Sequence, residues 1–434
     1  MNAESYAQPL ALSADLKALQ GGALSLSALL DALEARFHAT EPAVKAYLPE
    51  PNRFRRLRKD AEQLQRRYPD PASRPSLFGA LLGVKDIFHV RGFITRAGTD
   101  VPPALFAGEE ATVISRLKTA GALIVGKTVT TEFAYFEPGA TRNPHNLNHS
   151  PGGSSSGSAA AIAGGLAQLS TGTQTVGSVI RPAAYCGIVG FKPSFGRVPT
   201  KGLVTFSQSA DHVGFFTADV AAMRQTAPVV VDGWRPVIKG EERPVLAVPE
   251  GEYLRQSTAL DAFEAQLRTL EKAGFRVKRI GIFDDIEAID ARHQDLIAAE
   301  LADQHRDWFP QHSQRYRPRT ADLIRYGQTV STQRVEEARA HRHQLRRRLH
   351  QVMDAEGIDL WLCPAAPDVA PRGLDATGSP KMNMPWTHAG LPALSLPAGR
   401  GMLGLPLGLQ AVAHFNNDEE LLAWAAEIEP LFRG

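Results

Sequence analysis

Between Gly152 and Gly190 the chain reads GGSSSGSAAAIAGGLAQLSTGTQTVGSVIRPAAYCGIVG, hydroxyl groups set among glycines and alanines with almost no charge. A serine hydroxyl attacks a carbonyl only when a neighbouring group takes its proton. The usual base is a histidine oriented by a carboxylate. A lysine serves when burial disfavours its charge and frees its lone pair near neutral pH. Lys85, followed by Asp86, interrupts the apolar run Leu81, Leu82, Val84, Ile87 and Phe88. Such a lysine either snorkels to the surface or is desolvated and basic. In the second case it can draw a proton from one serine, which draws one from a second, nucleophilic serine. Spacing alone does not select the serines. In TQTVGS, successive backbone N–H groups ahead of a serine can converge on a developing oxyanion.

Other readings of the same residues are weaker. A Gly/Ser tract can be a linker, but this one runs into Ala159–Ala163 and further apolar segments, so it reads as a packed loop system around a site. Gly153–Gly157 fits G-x-S-x-G loosely, yet the strand that a nucleophile elbow requires is missing before it. His145 and His149 are four apart in a Pro/Asn-rich loop with no accompanying glutamate, so no metal site is expected. His341, His343 and His350 lack a ligand pattern and read as surface residues. Cys186 and Cys363 read as small buried hydrophobes in a reducing compartment.

At 434 residues, 43% apolar and 22% charged, the chain has ample material for a core. A net charge of +2 gives no case for nucleic acid or an anionic membrane as partner. Neither a signal-peptide pattern nor an apolar stretch of about twenty residues is present, and a cytoplasmic location is expected.

Helical spacing marks two short helices between Leu12 and Ala39, with Ser25 or Ser27 as a cap, and an amphipathic helix through Phe54, Leu57, Ala61, Leu64 and Tyr68. The arginines of that helix (Arg53, Arg55, Arg56, Arg58, Arg66, Arg67) and Lys59 read as a solvated face. A strand over Leu81–Phe88 precedes a helix over Ala111–Ala120 with Gly121 closing it, the strand ALIVGK and a helical turn over Glu132–Tyr135. Strands at Arg243–Pro249 and Phe275–Ile282 flank a helix near Ala259–Ala273. A long helical region follows to Glu356, broken near Pro310 and Pro318. Asp359–Pro364, a closing hairpin (LPALSLPAG, LPLGLQAVA) and a helix over Asp418–Leu431 complete the chain. Such alternation marks an α/β protein. The weak candidate for a boundary is Val229–Pro244.

The ordered set GVKD, GGSSSGSAAA, GTQTVGS, PAAYCGIVGFKPS, GLPALSLP and GLPLGLQ, spread over nearly the whole chain, resembles the amidase signature family, hydrolases with a Ser–cis-Ser–Lys triad. The resemblance implies a single large α/β domain, a mixed twisted sheet covered by helices on both faces. Within it, residues 1–75 form an N-terminal helical region, 76–228 the catalytic core, 229–357 a variable region shaping the pocket, and 358–434 the closing strands and helix. By position, Lys85 matches the base, Ser154 the bridging serine after a cis peptide bond, and Ser178 the acylated nucleophile. The backbone N–H groups of Thr175, Val176, Gly177 and Ser178 match the oxyanion hole, and Ser155 supports the triad by hydrogen bonding. Many relatives have two glycines before the nucleophile. Val176 keeps the backbone donor provided the loop needs no positive φ there.

GSVIRP places Arg181 three residues after Ser178, where common relatives read GGSIR. This resembles the malonamidase branch, in which the matching arginine binds a substrate carboxylate. A guanidinium can clamp a carboxylate with two parallel hydrogen bonds; alternatively Arg181 braces backbone or an acidic side chain. Tyr135, Phe136, Trp386 and His388 are candidates for pocket lining or for core. The expected activity is hydrolysis of a small amide, with or without a carboxylate, and no metal or organic cofactor. The alternatives are hydrolysis of urea-like bonds of the biuret, carboxybiuret or allophanate type, and an amidotransferase subunit passing ammonia to a partner. The resemblance also suggests a homodimer.

Overall fold

Leu81–Lys85 forms β1, apolar towards both faces as a strand covered on both sides must be. The computed structural model describes residues 5–237 and 243–433; residues 238–242, part of the candidate boundary Val229–Pro244, lie outside the described residues. The remaining strands are β2 (Leu123–Thr128), β3 (Leu169–Gln174), β4 (Val189–Lys192), β5 (His212–Thr217), β6 (Leu246–Glu250), β7 (Val277–Gly281), β8 (Leu360–Pro364), β9 (Ala393–Arg400) and β10 (Pro406–Val412). Among the described residues these ten form one sheet, in the order β2-β1-β3-β5-β4-β9-β10-β8-β6-β7. The ends are parallel (β2/β1/β3 and β8/β6/β7), while β3, β5, β4, β9, β10 and β8 pair antiparallel in turn. The sheet is mixed and flanked by helices, as the resemblance implied.

The Gly/Ser/Ala tract is mostly regular structure rather than the loop system expected of it. Ser156–Ala163 is a helix buried along its whole length. β3 follows, and Ile180–Cys186 forms a second buried helix. Small residues are needed because the first helix lies against backbone: a Cβ on Gly157 would stand 2.2 Å from the Ala46 carbonyl oxygen. The segments around Ser154 and Ser178 and the link Gly164–Gln168 are irregular.

Several expectations shift in detail. The second N-terminal helix runs Leu26–Val44, longer than anticipated and with Pro42 inside it, and the Ser25 hydroxyl accepts from the Ala28 N–H at its start. The arginine-rich helix spans Arg53–Arg67, but its arginine face is not wholly solvated. Arg53 is buried and donates to the Val125 and Leu48 carbonyls, and Arg56 reaches Ile124 and Val125. These guanidiniums cap the outer strand β2. The region before Glu356 divides into helices Ile286–Gln304, Phe309–His312, Pro318–Thr329 and Thr332–Glu356.

Helices Ile286–Gln304 and Pro318–Thr329 cross closely at Gly327, where a Cβ would stand 2.0 Å from the Ala298 carbonyl oxygen, a rigid backbone atom. Gly327→Ala should therefore destabilise the protein by about 1–3 kcal/mol, read as a lowered midpoint in denaturant unfolding. An unchanged midpoint would mean that the two helices are not locked at this crossing.

Candidate active site

Lys85 is the last residue of β1, and its side chain is 0% exposed. Its Nζ lies 2.8 Å from Ser154 Oγ and 2.8 Å from Thr173 Oγ1, and its backbone N–H donates to Thr171 Oγ1. Asp86 does not serve it. That carboxylate is paired with Lys127 at 2.7 Å, and Lys127 also donates to the Phe88 carbonyl and Thr95. With only hydroxyl partners, the Lys85 ammonium is pulled down to about 7 by desolvation, which the more distant charge of Asp211 only partly opposes.

Ser154 follows a cis Gly153–Ser154 peptide and is buried. A Cβ on Gly153 would stand 2.6 Å from Thr377 Cγ2, so a larger residue ahead of this serine would have to displace the Thr377 side chain. Ser178 lies in the turn between β3 and the helix Ile180–Cys186. It is the most open of the three expected triad residues, at 8% against 2% for Ser154. Of the three residues named from sequence, Lys85 and Ser154 are in direct contact, and Ser178 lies in the turn that follows β3, the strand that carries Thr173.

The turn before Ser178 is held from behind. The Thr175 carbonyl meets His293 Nε2 at 2.9 Å, the Val176 carbonyl accepts from Thr387 Oγ1 at 2.7 Å, and the Gly177 carbonyl accepts from the Arg181 N–H at 3.0 Å. A trans peptide points its N–H opposite to its C=O, so each of these ties also fixes the direction of the N–H in the same peptide, those of Val176, Gly177 and Ser178. Val176 does not take a positive φ, so valine is compatible with the turn. Gln174 completes it, its Oε1 accepting from the N–H groups of Val179 and Ile180.

Arg181 is fully buried without an acidic partner. Its Nη2 donates to the Gly153 carbonyl at 2.7 Å and reaches Thr377 Oγ1 at 3.2 Å, while Nε and Nη1 have no hydrogen-bond partner. The Phe136 ring stands 5.3 Å from its guanidinium carbon. Bracing of backbone is therefore real, but it uses only one of the three guanidinium nitrogens.

Other expected residues fall elsewhere. Ser155 makes no hydrogen bond to Lys85, Ser154 or Ser178; its hydroxyl lies 3.4 Å from the Thr173 backbone and touches the triad only through β3. Trp386 is core, wholly buried, with its Nε1–H donating to Tyr253. His388 is buried between two other histidines, and Tyr135 and Phe136 are partly exposed. His341 and His350 are not free surface residues: His341 contacts His388, and His350 accepts from the Phe415 N–H. Residues not singled out from sequence include Thr173, Gln174, His293, Thr387 and Asp211. Asp211 accepts from Thr175 Oγ1 at 2.6 Å, and burial raises its carboxyl to about 6. The available signal was an isolated polar residue beside an apolar run, which is not selective.

An Amidase family model matches residues 28–422, and the chain belongs to this family, the amidase signature hydrolases. Among curated relatives, a glutamyl-tRNA(Gln) amidotransferase subunit of Prochlorococcus marinus (strain MIT 9303) is 30% identical, the match covering 95% of each chain. The corresponding protein of Roseiflexus sp. (strain RS-1) is 42% identical over 47% of this chain and 43% of its own. A crystal structure of an amidase superposes with a TM-score of 0.87 at 31% identity, covering 98% of this chain and 100% of the other. The peptide amidase from Stenotrophomonas maltophilia, at 24% identity and a TM-score of 0.81 over 96% of each chain, shares the fold. The protein is an amidase-family hydrolase. Among the described residues, no helix is long and apolar enough to cross a membrane.

Because Lys85 titrates lower in the folded chain than its ordinary 10.5, the folded state holds fewer protons than the unfolded one between about pH 7 and 10, and this group's contribution to stability rises with pH across that window. Comparing wild type with Lys85→Met by thermal unfolding at several pH values should show the balance moving towards wild type as pH rises through it. A difference that stays constant with pH would mean that Lys85 is not desolvated.

Proposed function

We propose that this protein hydrolyses the C–N bond of a small amide through Ser178, Ser154 and Lys85. The observation that carries the reading is the Lys85 Nζ–Ser154 Oγ contact of 2.8 Å in a site where no carboxylate pairs with the lysine. Neutral Lys85 accepts the Ser154 proton as Ser154 accepts that of Ser178, and Ser178 Oγ bonds to the substrate carbonyl carbon. The carbonyl oxygen becomes an oxyanion facing the N–H groups of the 175–178 turn. Collapse breaks the C–N bond while Ser154 returns a proton to the leaving amine. Water, deprotonated by the same relay, then cleaves the Ser178 ester and releases the acid.

The preferred substrate is an amide that also bears a carboxylate. Arg181 supports this, since its Nε and Nη1 lie buried without partners and keep N–H groups available to donate to a carboxylate oxygen. Urea-like substrates of the biuret type satisfy the same relay and are distinguished only by the pocket. A second reading, an amidotransferase component that hands ammonia to a partner, is favoured by the glutamyl-tRNA(Gln) amidotransferase relatives whose match spans 95% of the chain. It predicts co-purification with another polypeptide and poor turnover by the isolated chain.

Ammonia release should be measured on matched pairs, malonamic acid with propionamide and succinamic acid with butyramide, together with biuret. Ser178→Ala should lose at least about a thousandfold in kcat/KM on every active substrate; retained activity would overturn the assignment of the nucleophile. Arg181→Ala should lose roughly 10–100-fold on the acid member of each pair beyond any loss on the neutral one, the scale of a charged hydrogen bond. Equal losses on both members would remove the carboxylate clamp and leave Arg181 as a brace. With wild-type enzyme, log kcat/KM should rise with pH up to a limb near 7, as Lys85 loses its proton. A limb that persists in Lys85→Ala belongs to another group.

A further inference from the structure

Three histidines from three helices form a line that ends on the turn before Ser178. His293, on the helix Ile286–Gln304, puts Nε2 2.9 Å from the Thr175 carbonyl oxygen. Its Nδ1 lies 3.1 Å from Nδ1 of His388, which belongs to the helix Met384–Ala389. Nε2 of His388 lies 3.1 Å from Nδ1 of His341, on the helix Thr332–Glu356. His293 and His388 are fully enclosed, while His341 is partly exposed.

The carbonyl fixes the tautomers. An oxygen of this kind only accepts, so His293 carries its proton on Nε2. Burial keeps that ring neutral, its pKa down at about 4, so its Nδ1 is an acceptor. His388 must then donate from Nδ1 and accept at Nε2, and His341 must donate from Nδ1. Every bond in the line thus points towards Thr175, and each ring holds the next in the tautomer it needs.

We infer that His293 is a positioning residue for the amide-cleaving site: held as a donor by His388 and His341, it fixes the Thr175–Val176 peptide so that the Val176 N–H faces the reacting carbonyl. This rests on the reading of Ser178 as nucleophile and the turn before it as oxyanion hole. It adds a group that touches neither substrate nor triad and acts only through the orientation of one peptide. Val176 has a second anchor, Thr387, on its own carbonyl. The His293 bond is the one that sets the plane bearing the Val176 N–H itself.

Two substitutions separate this role from simple packing, because Gln and Asn reproduce different nitrogens of the ring. His293→Gln places an amide N–H near the position of Nε2 and keeps the bond to Thr175. His293→Asn places its polar group near Nδ1 and keeps only the contact with His388. His293→Leu keeps neither. Steady-state kinetics on the amide most rapidly turned over by wild type should show kcat lowered roughly 10–100-fold in the Leu and Asn variants, a partial loss of an oxyanion donor, with KM within about threefold. The Gln variant should recover to within about threefold of wild type. Equal losses in Gln and Asn, or full kcat in Leu, would overturn the inference. The Gln-to-Asn comparison decides it even where the Leu variant fails to fold. A separate control is fluorophosphonate labelling of wild-type Ser178. An enzyme inert to both amides and the label fails the parent reading and takes this one with it, whereas a labelled, active wild type with indifferent His293 variants fails this one alone.

Discussion

A lysine ammonium buried without a carboxylate partner is the constraint on which the rest of this structure depends. Isolated buried charge is costly, and the adjacent Asp86 would be the obvious remedy. The fold prevents it by placing Asp86 against Lys127, the penultimate residue of β2. Lys85 is left with two hydroxyls, which stabilise a neutral amine as well as a charged one. Delivering those hydroxyls requires an unusual neighbourhood. β3 is a wholly buried strand of mostly polar residues, and the helix after Ser154 is built from residues small enough to lie against the backbone of Ala46 and Val129.

The second constraint is directional. A turn whose carbonyls are free can rotate its peptides. Here the Thr175, Val176 and Gly177 carbonyls are tied by groups from residues 293, 387 and 181. Two of those groups come from elements more than a hundred residues away in sequence. The turn is therefore preorganised by the tertiary fold rather than by its own composition, and Val176 fits it because it takes no positive φ.

This division explains what could be read in the sequence. The contact of Lys85 with Ser154 was legible because each lies in a short motif whose residues are all constrained at once. β1, β2, β8 and the closing hairpin were legible because their apolar runs report burial directly. β3 was not: LSTGTQ has neither an apolar run nor alternation, and its strand state comes from pairing with β1 and β5. The face of Arg53 and Arg56 was misread because guanidiniums that cap carbonyls of a neighbouring strand have the same spacing as solvated ones. His293, His341 and His388 carry no mutual signal, since nothing in linear spacing reports that three helices converge. Ser155 illustrates the reverse error, where proximity in sequence to the bridging serine suggested a contact that the helix start directs elsewhere.

Selectivity must reside outside these motifs. The chain as a whole is similar both to a protein named as an amidase and to relatives named as amidotransferase subunits, so overall likeness does not single out a substrate. The wall opposite these motifs can. Phe136 stands by Arg181, and the segment that carries it is gripped by the start of the helix Pro318–Thr329: the Arg317 N–H donates to Glu132, the Arg319 N–H to Glu137, and the Arg319 guanidinium to the Phe136 carbonyl. Arg181 in turn holds the Gly153 carbonyl, next to Ser154. Arg181 is thus linked in one direction to the backbone beside Ser154 and in the other, through Phe136, to the start of the helix Pro318–Thr329. Substitutions at the start of the helix Pro318–Thr329 can therefore reach Phe136 and Arg181 without touching Lys85 or Ser154.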